Sequence, residues 1–148
     1  MKSMEESMNF NDVPFGWALC CVNECTKKAD CLRYQMCCKV PDGVTKSVCV
    51  LPNVLKLSDC PHFHPMKVER MALGFRNIFA EVKEKHHARM RAEISRYLGG
   101  GGTFYRYRNG ETPLLPEQQE WIKQLFTRYG YTEEVVFDEY KDMYRFDE

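Results

Sequence analysis

Gly99-Gly100-Gly101-Gly102-Thr103-Phe104-Tyr105-Arg106-Tyr107-Arg108-Asn109-Gly110 is the stretch on which the fold class turns. Glycine adopts the left-handed conformation that closes a helix, so the quartet predicts the end of the helix before it. The residues that follow alternate aromatic and basic side chains and run into Asn-Gly, the strongest short-range hairpin signal. A hairpin from Thr103 to Thr112 is therefore expected, with Pro113 keeping the return strand short or at an edge. Between two helical patterns, that hairpin makes the chain α+β.

On the upstream side, Val68, Met71, Phe75, Ile78 and Val82 recur at spacings of three and four, the stripe of an amphipathic helix. The stripe resumes as Met90, Ile94, Tyr97 and Leu98. On the downstream side, Pro116-Glu117 suits a helix start, with proline in the first turn and an acid at the positive end. That helix carries Trp121, Ile122, Leu125, Phe126 and Tyr129 and stops at Gly130. The acidic remainder keeps Val135, Val136, Phe137, Tyr140, Tyr144 and Phe146, too many apolar side chains for a free tail, so it is expected to dock on the core.

Before Pro65 the periodicity is poor. A short helix over Lys27–Cys38, a turn at Pro41-Asp42-Gly43 and a strand over Thr45–Leu51 are the local expectations. The expected architecture is thus α+β. An irregular cysteine-rich module over residues 1–65 precedes helices, one β-hairpin and a C-terminal helix over residues 66–148, the whole forming one compact unit.

At 148 residues the chain is long enough to bury a core. Its 28% charged and 44% hydrophobic composition excludes disordered and collagenous classes. No apolar run approaches the length of a membrane span, so no membrane partner is expected. Met1 to Trp17 carries Glu5, Glu6 and Asp12 where a secretory signal needs a long apolar stretch, which points to the cytoplasm.

The 21 basic and 21 acidic groups balance only on average. Residues 67–110 hold ten basic against four acidic groups, and residues 111–148 hold four basic against ten acidic. Either the basic segment meets nucleic acid or an acidic protein, or the two segments pack together and neutralise each other. The zero total favours the second, since nucleic-acid binders usually keep a basic excess. The candidate contacts for an acidic partner are Arg89, Arg91, Arg106 and Arg108. Phe104 to Arg108 combines rings and guanidinium groups as single-strand binders do. The same residues can instead pack their rings inward.

All eight cysteines fall between Cys20 and Cys60. An irregular module with little apolar face needs a covalent or metal tie. Disulfides require an oxidising compartment, and the adjacent pairs Cys20-Cys21 and Cys37-Cys38 are poor partners for each other. Thiolates are soft ligands, and four of them suit tetrahedral zinc or an iron–sulfur cluster. The spacing selects Cys25, Cys31, Cys49 and Cys60 as ligands, with Cys20, Cys21 and His62 as alternates. Zinc is favoured because its sites tolerate irregular spacing. His64 ranks behind the thiols, His86 and His87 read as a solvated helix face, and Cys37 and Cys38 read as packing residues. The competing chemistries are disulfides and burial of the cysteines as small hydrophobes without metal. Gly99 to Gly102 lacks the Lys-Ser/Thr of a phosphate loop.

Taken together, Asn23-x-Cys25-x5-Cys31-Leu32-Arg33, Cys60-Pro61-x-Phe63, Ala72-x-Gly74-Phe75, Phe104-Tyr105-Arg106-Tyr107-x-x-Gly110-Glu111 and Pro116-Glu117-Gln118-Gln119 carry a resemblance. The chain resembles a family of small, uncharacterised, cysteine-containing proteins of gut Bacteroidales, over most of its length. The resemblance implies a bacterial cytoplasmic protein in which Cys25, Cys31 and Cys60 match recurring cysteines. Cys21, Cys37 and Cys38 depart from that pattern. The family has no assigned activity and brings no catalytic residue.

The expected function is a non-enzymatic, metal-stabilised binding or regulatory module. Its alternative is a redox or metal-handling protein using an iron–sulfur cluster or labile thiols. No motif supports an enzyme.

Overall fold

The computed structural model describes residues 9–147; the acidic start with Glu5 and Glu6 lies outside the described residues. The chain divides into two compact units, residues 9–68 with 143–147, and residues 69–142. The fold class is α+β, with small two-stranded pairings rather than a large sheet.

In the first unit, β1 (Leu19–Cys20) pairs in parallel with β2 (Cys49–Val50), setting Leu19 opposite Cys49 and Cys20 opposite Val50. The strand expected over Thr45–Leu51 shrinks to those two residues because Val44 and Val48 are exposed and bury no alternate face. The helix expected over Lys27–Cys38 is broken at Cys31. A single 3-10 turn covers Lys28–Asp30, Cys31 is extended and bridges Pro65, and only Leu32–Cys37 forms the helix α1. The Leu32 N–H donates to the His64 carbonyl at 2.7 Å, so the chain after Cys60 is tied to the start of α1. Trp17, Leu19, Leu32, Met36 and Tyr144 make the buried core of this unit. Tyr144 and Phe146 bring the last residues of the chain into it, as the aromatic content of the tail implied.

The second unit holds the longer helices α2 (Glu84–Leu98), α3 (Gly101–Arg108) and α4 (Pro116–Arg128). Met90, Ile94 and Leu98 from α2, Phe104 from α3, and Ile122, Leu125 and Phe126 from α4 share one core with Ala72, Phe75, Leu114, Val135 and Phe137. The start of α4 at Pro116 matches the sequence expectation.

Two sequence expectations are corrected here. The stripe from Val68 to Val82 is not a helix. Its first six residues are β3 (Val68–Leu73), paired antiparallel with β4 (Glu139–Tyr144). The Asp138 N–H donates to the Gly74 carbonyl at one end of the pairing, and the Arg145 N–H to the Lys67 carbonyl at the other. Gly74 breaks the helical stripe. It holds φ +90°, and a Cβ there would stand 2.8 Å from the Asp138 carboxylate.

The hairpin at 103–112 is also absent. Thr103 to Arg108 lies in α3, with helical bonds from the Phe104 N–H to the Gly100 carbonyl and from the Asn109 N–H to the Tyr105 carbonyl. Asn109 keeps a negative φ, and only Gly110 is left-handed. The Gly110 N–H bonds the Tyr107 carbonyl and the Glu111 N–H bonds the Arg106 carbonyl, the double closure of a glycine-stopped helix. A type I′ hairpin needs positive φ at both residues, so Asn-Gly here is a helix stop. Burial of Phe104 fits the helix, while Tyr105 is exposed.

Candidate metal centre

Cys20, Cys25, Cys31 and Cys60 line one small cavity in the first unit, about 30 Å³ in volume. Three turns of chain bring them there. Cys20 ends β1, Cys25 follows a turn closed by its own N–H on the Val22 carbonyl, and Cys31 sits in the extended break before α1. Cys60 arrives on the segment that the Cys31–Pro65 bridge holds alongside. Val22, Val50, Val54 and Phe63 supply apolar wall. The space suits one ion and is far below the size of a pocket for an organic ligand.

The thiols influence one another. Burial pushes the Cys20 thiol up from its ordinary range, the Val22 backbone amide pulls it down, and the negative charges of Cys31, Cys25 and Cys60 push it up again. A thiol raised in this way is a poor nucleophile at neutral pH, and its proton must leave before a metal binds. No three His, Cys, Asp or Glu side chains among the described residues stand in ligating geometry about a common point. Metal binding therefore requires the four thiols to close in from their present positions.

Cations share the lining. Lys27, Lys28 and Arg33 face the same cavity, and among the described residues no acidic one does. Arg33 is 6% exposed, which is rare for a guanidinium. Its Nε donates to the His62 carbonyl at 2.7 Å and its Nη1 to the Ala18 carbonyl at 2.8 Å. One side chain thus ties the backbone two residues before Cys20, two residues after Cys31 and two residues after Cys60.

Several expected ligands are placed elsewhere. Cys49 is exposed, and the strand register explains why. Val50, not Cys49, is opposite Cys20 and lines the cavity; successive side chains in a strand point to opposite faces. Cys21 is bonded to Cys37, with Cα atoms 6.2 Å apart, so it is no free thiol among the alternates, and one disulfide, the chemistry less favoured from sequence, is present. Adjacent cysteines do not pair with each other, but one from each adjacent pair meets the other across the fold. His62 lines the cavity, mainly offering its carbonyl to Arg33. His64 is engaged at both ring nitrogens, by the Pro65 carbonyl at 3.0 Å and the Asp147 carboxylate at 2.7 Å.

That last contact anchors the end of the chain. Burial works against the charge on Asp147, but hydrogen bonds and charge from His64 and Arg145 outweigh it and hold the carboxyl below its ordinary value. A carboxyl lower in the folded state stabilises the fold above its unfolded value, near 4, and the contribution is lost as pH falls through the folded value. The protection of the 143–147 amides, taken relative to their intrinsic exchange rates at each pH, is therefore expected to fall as the pH drops below about 4. Asp147→Asn should remove that pH dependence.

The four candidate arginines do not gather on one free surface. Arg91 lies over the Phe104 and Tyr105 rings and bonds the Tyr105 hydroxyl, which commits it to the α2–α3 seam. Arg108 is half-buried and its carbonyl accepts from the Phe75 N–H. Arg89 and Arg106 are exposed. The basic and acidic segments meet in the core of the second unit, where Tyr97 stacks on Trp121 at 3.9 Å. His86, read from sequence as solvated, instead bonds the Tyr131 hydroxyl at 2.8 Å.

Among the described residues no helix is long and apolar enough to cross a membrane. Neither the curated proteins nor the solved structures contain a match to this chain. A family model does match, across residues 4–146, and by that extent the chain belongs to the family of unknown function DUF6078.

Proposed function

We propose that this protein is a non-enzymatic binding module whose first unit is held together by one zinc ion on Cys20, Cys25, Cys31 and Cys60. The observation that carries this reading is the convergence of four thiols from three separate segments on one ion-sized cavity. Soft sulfur donors in that number match tetrahedral zinc. The ion would supply a structural cross-link, and the chain's own residues do the rest. The Val22 amide and the cations Lys27, Lys28 and Arg33 offset the negative charge that four thiolates bring. The raised Cys20 thiol speaks against a reactive redox cysteine at that position.

The partner in this reading is an acidic surface met by Lys85, Arg89 and Arg96, which are exposed and fall on one face of α2.

The ligand set is tested by zinc titration against a competing chelator. Cys20→Ser and Cys60→Ser are expected to lower zinc affinity by at least about a hundredfold, a larger loss than changing a group that only hydrogen-bonds a ligand. Cys49→Ser is expected to leave it unchanged. Equal loss in all three variants would return Cys49 to the ligand set, and no zinc uptake by the unaltered protein would end the reading.

A further inference from the structure

Arg33 joins the thiol cavity to the last residues of the chain. Its guanidinium lies 4.4 Å from the centre of the Trp17 ring. The Trp17 Nε1–H donates to the Asp147 carbonyl at 3.2 Å, and the indole meets the Phe146 ring edge-on at 5.1 Å and the His64 ring at 5.6 Å. His64 and Arg145 each bond one oxygen of the Asp147 carboxylate at 2.7 Å. Every one of these groups belongs to the first unit. The segment 143–147 is thus a strap closed over Trp17, and the residue beneath Trp17 is the one that faces the thiols.

From this we infer that zinc occupancy of the thiol cavity governs docking of the 143–147 strap, with Arg33 and Trp17 as the connection. The inference rests on the proposed tetrathiolate site. Arg33 is a buried cation whose partners are two carbonyls and an indole face, and no carboxylate pairs with it among the described residues. A buried charge without a counter-charge is costly even where carbonyls and a ring hold it. When zinc binds, four thiols release four protons to solvent and the Zn²⁺ ion with four thiolates carries a net charge of two minus. That charge sits in the cavity Arg33 lines and becomes its counter-ion. Holding Arg33 in place holds the Trp17 plane against it, and Trp17 presents the N–H and ring edge on which Asp147 and Phe146 close. The strap contributes no thiol; it also reaches the Cys60 segment through His64, and the Arg33→Met variant separates that route from the one through Trp17.

Linkage makes the inference measurable from either side. If zinc strengthens strap docking, the strap strengthens zinc binding by the same factor, and couplings of this kind run from roughly fivefold to a hundredfold. The experiment uses the full chain and Zn²⁺ itself. Zinc affinity is measured by chelator competition in the unaltered protein, in Phe146→Ala with Asp147→Ala, and in Arg33→Met. Hydrogen exchange of the 143–147 amides is followed with and without zinc.

The expected result is one zinc per chain, slower exchange of the strap amides on zinc addition, and roughly tenfold weaker zinc binding in the strap variant. In Arg33→Met, zinc should no longer slow strap exchange even where the ion still binds. Unchanged zinc affinity in the strap variant, with zinc bound normally by the unaltered chain, overturns the inference and leaves the tetrathiolate reading standing. Absence of zinc binding in the unaltered chain overturns both. If Arg33→Met does not fold, the strap variant decides alone, because its changes lie at the end of the chain and remove no ligand.

Discussion

If the proposed zinc holds the first unit together, stripping it with a chelator, or replacing Cys31 by serine, is expected to unfold that unit while α2 and α4 stay folded. Among the described residues the first unit's hydrophobic cluster is small, Trp17, Leu19, Leu32, Met36 and Tyr144 with a few half-buried side chains such as Phe10 and Met66 against it, and β1 and β2 are two residues long. A module so small requires a tie. Structural zinc contributes on the order of 10 kcal/mol in isolated small domains at neutral pH, which exceeds what a core of this size supplies. The second unit buries twelve residues in a core of its own and holds no thiol, so it gains nothing from the metal. Hydrogen exchange resolves the two. Amides from residue 17 to 36 should lose protection on chelation, while those of 90–98 and 119–128 keep it. Serine at position 31 should reproduce the pattern without chelator, because Cys31 is the most buried of the four thiols. Equal protection of 17–36 with and without metal would mean that hydrophobic packing suffices.

The second large effect belongs to the Cys21–Cys37 disulfide. It spans a sequence separation of 16 and links the residue after β1 to the last residue of α1. A cross-link closing a loop of that length stabilises a small domain by roughly 3 kcal/mol, largely by restricting the unfolded chain. Replacing both cysteines by serine, so that no lone thiol is left to exchange, should lower the stability of the first unit by about that amount. The fall would be read as a shift in the denaturant midpoint. Reductant should produce the same shift in the unaltered chain and none in the double variant. A midpoint indifferent to reductant in the unaltered chain would show that the bond does not contribute. The two ties act on different elements, since the disulfide joins β1 to α1 and the cavity also recruits Cys60.

Much of this was readable in the sequence where a local rule had no competitor. Pro116 starts α4 and Gly130 follows its end because proline and glycine act through their own backbone freedom. Met90, Ile94 and Leu98 are buried at helical spacing as expected. The misread stretches are those where a local pattern serves two structures. A spacing of three and four from Val68 to Val82 fits a helix, but pairing with β4, more than sixty residues away, made its start a strand. The glycine at 74 was the available signal. Asn109-Gly110 fits both a hairpin and a helix stop; burial of Phe104 beside Phe75 decided it.

Of the four thiols that line the cavity, Cys25, Cys31 and Cys60 are ones that the spacing had singled out. The choice between Cys20 and Cys49 was not, because it depends on the parity of a two-residue strand pairing. The same limit hid the disulfide: one member each of Cys20-Cys21 and Cys37-Cys38 was free to pair, and only the fold shows which. Arg33 was missed as part of the site because an arginine two residues after a ligand has no sequence signature. Its burial became visible only with Ala18 and His62 in place.

The most direct measurement is elemental analysis of the purified full chain combined with X-ray absorption at the metal edge. One zinc per chain, surrounded by four sulfur atoms at about 2.3 Å, is the expected result. A chain that takes up no zinc, with its six free cysteines all titrating as thiols in the presence of excess metal, would contradict it.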